Sequence, residues 1–133
     1  SFHGIPERYV HAGDPYVEHS LETGHRVASL LRLSDDDYQI AFQSRFGRAK
    51  WVEPYTDKVI EQWAKAQVKH VDVISPSFSA DCLETLEELE MTTAEQFYAA
   101  GGARLRYIPA LNDHPQHIAL MKKLCLNALS SSS

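Results

Sequence analysis

Short runs rich in aliphatic and aromatic residues alternate with amphipathic runs along this chain. The strand-like runs cover residues 38–42, 71–74 and 104–108, and the helix-like runs cover residues 15–33, 56–68, 81–101 and 115–129. Strands that alternate with helices at this spacing favour parallel pairing and right-handed crossovers. The order of the runs therefore predicts an α/β fold in which helices cover both faces of one parallel sheet.

The pattern of residues 1–6 is typical of the carboxyl end of a strand and the loop that follows it. Phe2 and His3 precede Gly4, which permits close backbone approach, and Pro6, which stiffens the chain. We expect the body of this strand to lie before Ser1, so that the 133 residues are a fragment whose first strand is missing. His3 would then stand at the carboxyl edge of the sheet, where ligands of open α/β folds bind. A terminal surface histidine without a role is the alternative that the local pattern leaves open.

Glu84 and Glu88 are the carboxylates that the pattern singles out. With Asp81 as N-cap, Glu84 occupies the position of a capping-box partner, and this structural interpretation competes with a functional one. Glu84 and Glu88 are four residues apart and share a helix face, where like charges cost a few tenths of a kcal/mol. A cation or a shared proton between the two carboxylates would offset this repulsion.

The helix that carries these glutamates must also pack its leucines. To turn both glutamates towards one cleft while the leucines stay packed, we expect a π-type turn, since such bulges cluster at functional sites. The leucines concerned are Leu83, Leu86 and Leu89.

Charge and cysteine usage exclude several classes of protein. The net charge is −5, with 13 basic and 18 acidic residues and no basic run, so we expect no nucleic-acid partner. Cys82 and Cys125 lie far apart without a CxxC spacing, which argues against a disulfide framework and favours a reducing cytoplasm. No apolar run reaches the roughly 18 residues of a membrane helix, which leaves peripheral contact as the form of membrane association to consider. The glycine-rich phosphate loops of nucleotide-binding folds are also missing from the sequence.

Five segments of the chain, in the same order, resemble the ferrochelatase family. They are residues 1–6, 13–16, 43–47 with Trp51, 79–88 and 108–112, and the run from Asp81 to Glu88 resembles the Gram-negative bacterial branch. The resemblance covers nearly the whole chain. It implies that residues 1–133 form the C-terminal, chelatase-type domain of a two-domain enzyme built from Rossmann-like α/β halves around a porphyrin cleft. We expect residues 130–133 to be a disordered tail.

The resemblance also implies an activity and the residues that perform it. The activity is insertion of ferrous iron into protoporphyrin IX to make protohaem. His3 and Glu84 would face each other as the iron-site pair, and Glu88 would continue a line of catalytic carboxylates. The residues that would line the porphyrin pocket are Ile5, Phe46, Trp51 and Phe78.

Partners and cofactors follow from the same resemblance. Fe²⁺ is expected as substrate and no tightly bound cofactor is expected. No iron–sulfur cluster is expected, because Cys125 alone lies near the C-terminus. The expected partners are the porphyrin and the N-terminal half of the enzyme. Without that N-terminal half, we expect residues 1–133 to be inactive. Two alternatives stay open, namely a cobalt chelatase of cobalamin synthesis and a non-catalytic binding module of flavodoxin-like shape.

Overall fold

A computed structural model of the protein describes residues 1–131. Between Leu83 and Ala99 three helical elements follow one another without a break. The elements in chain order are β1 (Phe2–His3), α1 (Glu7–His11), α2 (Tyr16–Leu31), β2 (Phe42–Gln43), α3 (Thr56–Lys65), β3 (His70–Ile74), α4 (Leu83–Thr85), a π-helix (Leu86–Thr93), α5 (Ala94–Ala99), β4 (Arg104–Ile108) and α6 (Pro115–Ser131).

The strands form two parallel pairs. β1 pairs with β2, with His3 opposite Gln43, and β3 pairs with β4, with Ile74 opposite Ile108. The amino group of Ser1 donates a hydrogen bond to the Ile74 carbonyl at 2.7 Å, so the two pairs meet at the start of the chain. The α/β class and the parallel pairing are confirmed, whereas one continuous sheet is not formed by the described residues.

Each strand pair has its own hydrophobic core. The larger core packs α3 and the stretch from the π-helix to α5 against β3 and β4, with Leu89 and Phe97 fully buried. The smaller core surrounds Phe2 and Phe42 on β1 and β2, and Val17 of α2 packs against it. The two cores hold the carboxyl ends of the strands in place.

A groove separates the two strand pairs. It encloses about 570 Å³ and has a mostly apolar lining. We call it the inter-sheet groove, and its main lining residues are Val27, Ala28, Ile40, Ile60, Val71 and Val73.

Two sequence-based boundaries are wrong, and one helix was missed. The strand predicted over residues 38–42 is confined to Phe42–Gln43, because only this part has β1 beside it to complete a ladder. The short helix α1 was not predicted. The tail predicted to be disordered from residue 130 is helical through Ser131, and residues 132 and 133 lie outside the described residues.

Two sequence-based expectations concern the cysteines and membrane-spanning helices. Cys82 and Cys125 are free thiols. Among residues 1–131, no helix has the length and apolar character needed to cross a bilayer.

Candidate functional site

His3 ends β1 and presents its ring at the carboxyl edge of the first strand pair. Its Nδ1 lies 2.7 Å from the Gly4 carbonyl oxygen. A carbonyl oxygen can only accept, so Nδ1 carries the hydrogen and Nε2 of the neutral ring keeps its lone pair. The hydroxyl of Tyr16 donates to the His3 carbonyl at 2.8 Å and fixes the backbone. The arrangement leaves Nε2 as the ring atom that can take a proton or bind a metal.

Gly4 allows the chain to pass tightly behind this histidine. A Cβ at Gly4 would lie 3.0 Å from the Gln43 carbonyl oxygen and 3.2 Å from the ring of Trp51. The ring centroids of His3 and Trp51 are 6.4 Å apart. Any larger residue at position 4 would therefore push the histidine strand away from its neighbours.

Glu84 lies in the first turn of α4, and the capping interpretation of this residue is wrong. Cys82, not Asp81, is the N-cap, and its N–H donates to Thr85 Oγ1 at 3.0 Å, so Thr85 is the reciprocal partner. Hydrogen bonds from the Cys82 thiol and from its own backbone N–H hold the pKa of Glu84 below its usual range, and a positive charge on His3, when its ring is protonated, acts in the same direction. The reciprocal capping contacts at the start of α4 therefore do not involve the Glu84 carboxylate.

Glu88 has a different environment from Glu84. Its Oε1 accepts the backbone N–H of Ser44 at 2.7 Å, and its Oε2 accepts the Ser44 hydroxyl at 2.5 Å and Gln43 Nε2 at 3.3 Å. Gln43 Nε2 also donates to the Glu84 carbonyl oxygen at 2.6 Å. Gln43 and Ser44, at the end of β2, therefore supply the hydrogen bonds that the Glu88 carboxylate accepts. The sequence had suggested a shared cation or proton in this role.

The expected π-type turn is confirmed. Residues Leu86–Thr93 form a π-helix, and Thr93 Oγ1 donates to the Glu88 carbonyl oxygen at 2.7 Å. The packing of the leucines is only partly as expected, because Leu89 is fully buried while Leu83 and Leu86 are 70% and 44% exposed. The π-helix thus buries Leu89 and leaves Leu86 partly exposed, while Leu83 of α4 is exposed.

The predicted porphyrin-lining residues are divided between an aromatic pair and two separate positions. Phe46 and Trp51 have ring centroids 4.9 Å apart, and Trp51 Nε1 donates to the Phe46 carbonyl oxygen at 2.9 Å. Phe46 is 73% exposed, whereas Trp51, whose ring centroid lies 6.4 Å from that of His3, is 5% exposed. Ile5 packs against the smaller core, and Phe78 lies in the turn after β3. None of these four residues lines the inter-sheet groove.

The site offers few metal ligands. Within residues 1–131, no three His, Cys, Asp or Glu side chains come together as a set able to hold a metal ion. A closed structural metal site, which takes four protein ligands, is therefore not formed by these described residues.

Sequence reasoning missed Gln43 and Ser44 as contacts of the glutamates. Gln43 is 3% exposed and stands opposite His3 in the strand register. Ser44 has a φ of 64°, in the left-handed region. Two polar residues directly after an apolar run, at the carboxyl end of a parallel strand, were the signal that could have identified them.

Asp81 anchors the start of the helical stretch to the loop after β4. Its carboxylate accepts hydrogen bonds from Tyr107 at 2.8 Å, Asn112 at 2.9 Å and Thr85 at 3.0 Å. Burial works to raise the pKa of Asp81, but these bonds and that from the Ala110 N–H outweigh it and lower the pKa. Asp81 is therefore a structural support for the turn that carries Glu84.

Asp81→Asn is expected to destabilise the protein by about 1–2 kcal/mol near neutral pH, since a charged acceptor with several donors is lost from a partly exposed position. Because the folded-state pKa is depressed, the contribution of Asp81 is present above its unfolded-state pKa and lost as pH falls through the folded value. The difference between the two proteins should shrink as pH falls from about 7 to about 3 in urea unfolding. Asp36→Asn, at an exposed turn, is the control, and an equal pH dependence in both variants would contradict the assignment.

Comparison with known proteins shows similarity to one family over nearly the whole chain. The family model described as ferrochelatase matches residues 1–129. The ferrochelatase of Acinetobacter baylyi is 52% identical over 135 residues, which cover 99% of this chain and 40% of the relative. The ferrochelatase of a Psychrobacter species is 56% identical over 124 residues, and the coproporphyrin III ferrochelatase of Streptococcus mutans is 51% identical over 124 residues. These two matches cover 93% of this chain and 37% and 39% of the relatives. The chain thus spans about two fifths of the length of the curated relatives it matches.

Proposed function

Because the chain belongs to the ferrochelatase family, we propose that it forms the C-terminal half of an enzyme that inserts ferrous iron into protoporphyrin IX. The observation that carries this proposal is the family match over residues 1–129. Gln43 supports it, because this residue lies opposite His3 in the ladder and donates to the Glu84 carbonyl oxygen, which links the histidine strand to the turn of Glu84. Iron insertion needs a base and an oxygen or nitrogen ligand in the same place.

His3 is proposed to serve the proton-transfer part of the reaction. Metal insertion removes two N–H protons from the porphyrin as Fe²⁺ takes their place, so a base must stand over the ring face. Nε2 of His3 holds the free lone pair, since Nδ1 faces the Gly4 carbonyl. The same atom is a suitable nitrogen ligand for Fe²⁺, and the roles of base and ligand are both consistent with this geometry.

Glu84 is proposed as the oxygen ligand opposite His3. A glutamate is ionised at neutral pH, and the hydrogen bonds that lower the pKa of Glu84 further favour this form, which is the form that binds a cation. One imidazole and one carboxylate leave open coordination positions, so the iron is held loosely enough to be transferred. Glu88 is proposed to extend the acidic line behind Glu84.

Phe46 and Trp51 are proposed to form part of the porphyrin wall, with Ile5 and Phe78 at its margins. The exposed ring of Phe46 provides an apolar surface, and it packs on the buried Trp51, whose ring centroid lies 6.4 Å from that of His3. A wall on one side positions the ring but does not enclose it. We therefore propose that the remaining part of the enzyme supplies the opposite wall, and that these residues alone are inactive.

The physiological porphyrin is part of this proposal. One relative carries the name coproporphyrin III ferrochelatase, whereas the other relatives named above are called ferrochelatase. We propose protoporphyrin IX, because the run from Asp81 to Glu88 resembles the Gram-negative branch. A cytoplasmic location stays a prediction from cysteine usage.

Anaerobic assays with the full-length protein test this proposal directly. Fe²⁺ with protoporphyrin IX is expected to give protohaem, measured from its absorbance spectrum, at a higher kcat/KM than Fe²⁺ with coproporphyrin III. A preference for coproporphyrin III would change the substrate. Cobalt insertion into a cobalamin-type tetrapyrrole in place of iron insertion would favour the cobalt chelatase, and porphyrin binding without insertion of either metal would favour a binding module.

A further inference from the structure

Ser44 contacts Glu88 through both its backbone and its side chain. The N–H donates to Oε1 at 2.7 Å, and the hydroxyl donates to Oε2 at 2.5 Å. One residue therefore satisfies both oxygens of the carboxylate and fixes its plane. Charge-assisted hydrogen bonds of this kind are short and strong.

The backbone conformation at Ser44 makes serine an unexpected choice on local grounds. Its φ of 64° lies in the left-handed region, which glycine adopts with less strain than serine. Glycine would keep the N–H donor but would lose the hydroxyl. The hydroxyl bond to Glu88 gives a physical reason for a side chain at this position.

Gln43 extends the same set of contacts towards His3. Its Oε1 accepts the Ser1 hydroxyl at 2.6 Å, which orients the amide so that Nε2 faces the glutamates. Nε2 then donates to the Glu84 carbonyl oxygen and to Glu88. Since Gln43 lies opposite His3 in the parallel ladder, it links the histidine strand to the turn that carries both glutamates.

We propose that Ser44, assisted by Gln43, is a positioning residue for metal insertion. It fixes the carboxylate of Glu88 and thereby sets the orientation of the helical turn that presents Glu84 to His3. This inference rests on the function proposed above. Ser44 acts through Glu88, so its removal affects the chemical step when Glu88 is present.

Two substitutions at position 44 separate positioning from backbone strain. Ser44→Gly and Ser44→Ala both remove the hydroxyl, but glycine relaxes the left-handed backbone and alanine does not. In the full-length protein both are expected to lower kcat roughly tenfold, equivalent to about 1.4 kcal/mol of transition-state stabilisation, with KM for porphyrin within about twofold of wild type. The glycine variant should melt at a higher temperature than the alanine variant. The proposal would be overturned if the alanine variant, with its lower melting temperature, lost kcat and the glycine variant did not. A raised KM with unchanged kcat would also overturn it and would make Ser44 a porphyrin contact.

A double-mutant cycle with Glu88→Gln tests whether Ser44 acts through Glu88. If it does, adding Ser44→Gly to Glu88→Gln should cause no further loss of kcat, whereas independent effects would multiply and contradict the proposal. Ser34→Ala is the matched control, because Ser34 also donates its N–H and hydroxyl to one carboxylate, that of Asp37, in an exposed loop.

A readout that does not depend on activity is amide hydrogen exchange at Ser44. Its N–H should lose protection in Glu88→Ala and keep it in Glu87→Ala, whose side chain is exposed. Unchanged protection in both variants would contradict the contact on which the inference depends. An inactive wild-type protein would overturn the proposed function and this inference with it, whereas an active protein with a fully active Ser44→Gly variant would overturn this inference alone.

Discussion

Replacement of His3 by alanine is expected to lower the rate of iron insertion by at least about 100-fold in the full-length protein, the usual range for loss of a general base. Porphyrin binding should change little, because the Phe46 and Trp51 surface remains in place. Stopped-flow or continuous absorbance assays give kcat, and fluorescence quenching of the porphyrin gives its dissociation constant.

The control for His3 is a histidine of the same chain outside the site. His19 is exposed on α2, and His19→Ala should leave both the rate and the porphyrin affinity unchanged. Unaltered turnover in His3→Ala would remove His3 from the mechanism. A large loss of porphyrin affinity without a loss of kcat would make it a binding residue instead.

The second large effect concerns the stability of residues 1–133 on their own. Their melting temperature is expected to rise by on the order of 10 °C when the remaining part of the enzyme is supplied as a separate chain, and iron insertion should appear only in the mixture. The physical reason is the inter-sheet groove, where one edge of β3 meets only Ser1 within the described chain. Each unpaired buried backbone group costs about 1–3 kcal/mol, which is large against the roughly 5–15 kcal/mol that stabilises a domain.

Substitutions on α2 test whether the rise in melting temperature depends on the inter-sheet groove. Val27 lines the inter-sheet groove, and Val27→Arg should prevent the rise in melting temperature by placing a charge where an apolar segment would pack. Ser29→Arg, on the exposed side of the same helix, should leave the rise intact. A cooperative melt together with full activity from residues 1–133 alone would contradict both the groove argument and the proposed division of the enzyme.

The elements that sequence predicted well are those whose local pattern agrees with their packing. β4 has the predicted bounds because Leu105 and Tyr107 alternate inward between exposed residues. α3 begins at the predicted Thr56, and Ile60 and Ala64 form its buried stripe. In such elements the period of the apolar residues is sufficient to identify both the type of structure and the buried face.

The elements that sequence missed depend on partners distant in the chain. The apolar run before Gln43 has strand character, but its length as a strand is set by β1, which no local pattern reveals. The capping partner was misplaced by one residue because Cys82 rather than Asp81 starts the helix, and Asp81 instead binds Tyr107 and Asn112. Strand order predicts that His3 and Glu84 lie at one edge, and this stays a prediction. The hydrogen bonds of Gln43 and Ser44 to the glutamates arise from tertiary contact, which no local pattern reveals.

The π-helix constrains how this segment can change in evolution. Its eight residues join the turn of Glu84 to α5, whose Phe97 is fully buried in the larger core. Adding or deleting one residue in a helix rotates what lies beyond it by about 100°. A one-residue deletion between Leu86 and Thr93 would thus turn either Glu84 away from its edge or Phe97 out of its core. Exposed positions such as Glu87, Glu90 and Met91 place no such limit on residue type. The exposed positions of the segment are therefore free to vary in residue type, whereas the length of the segment is not.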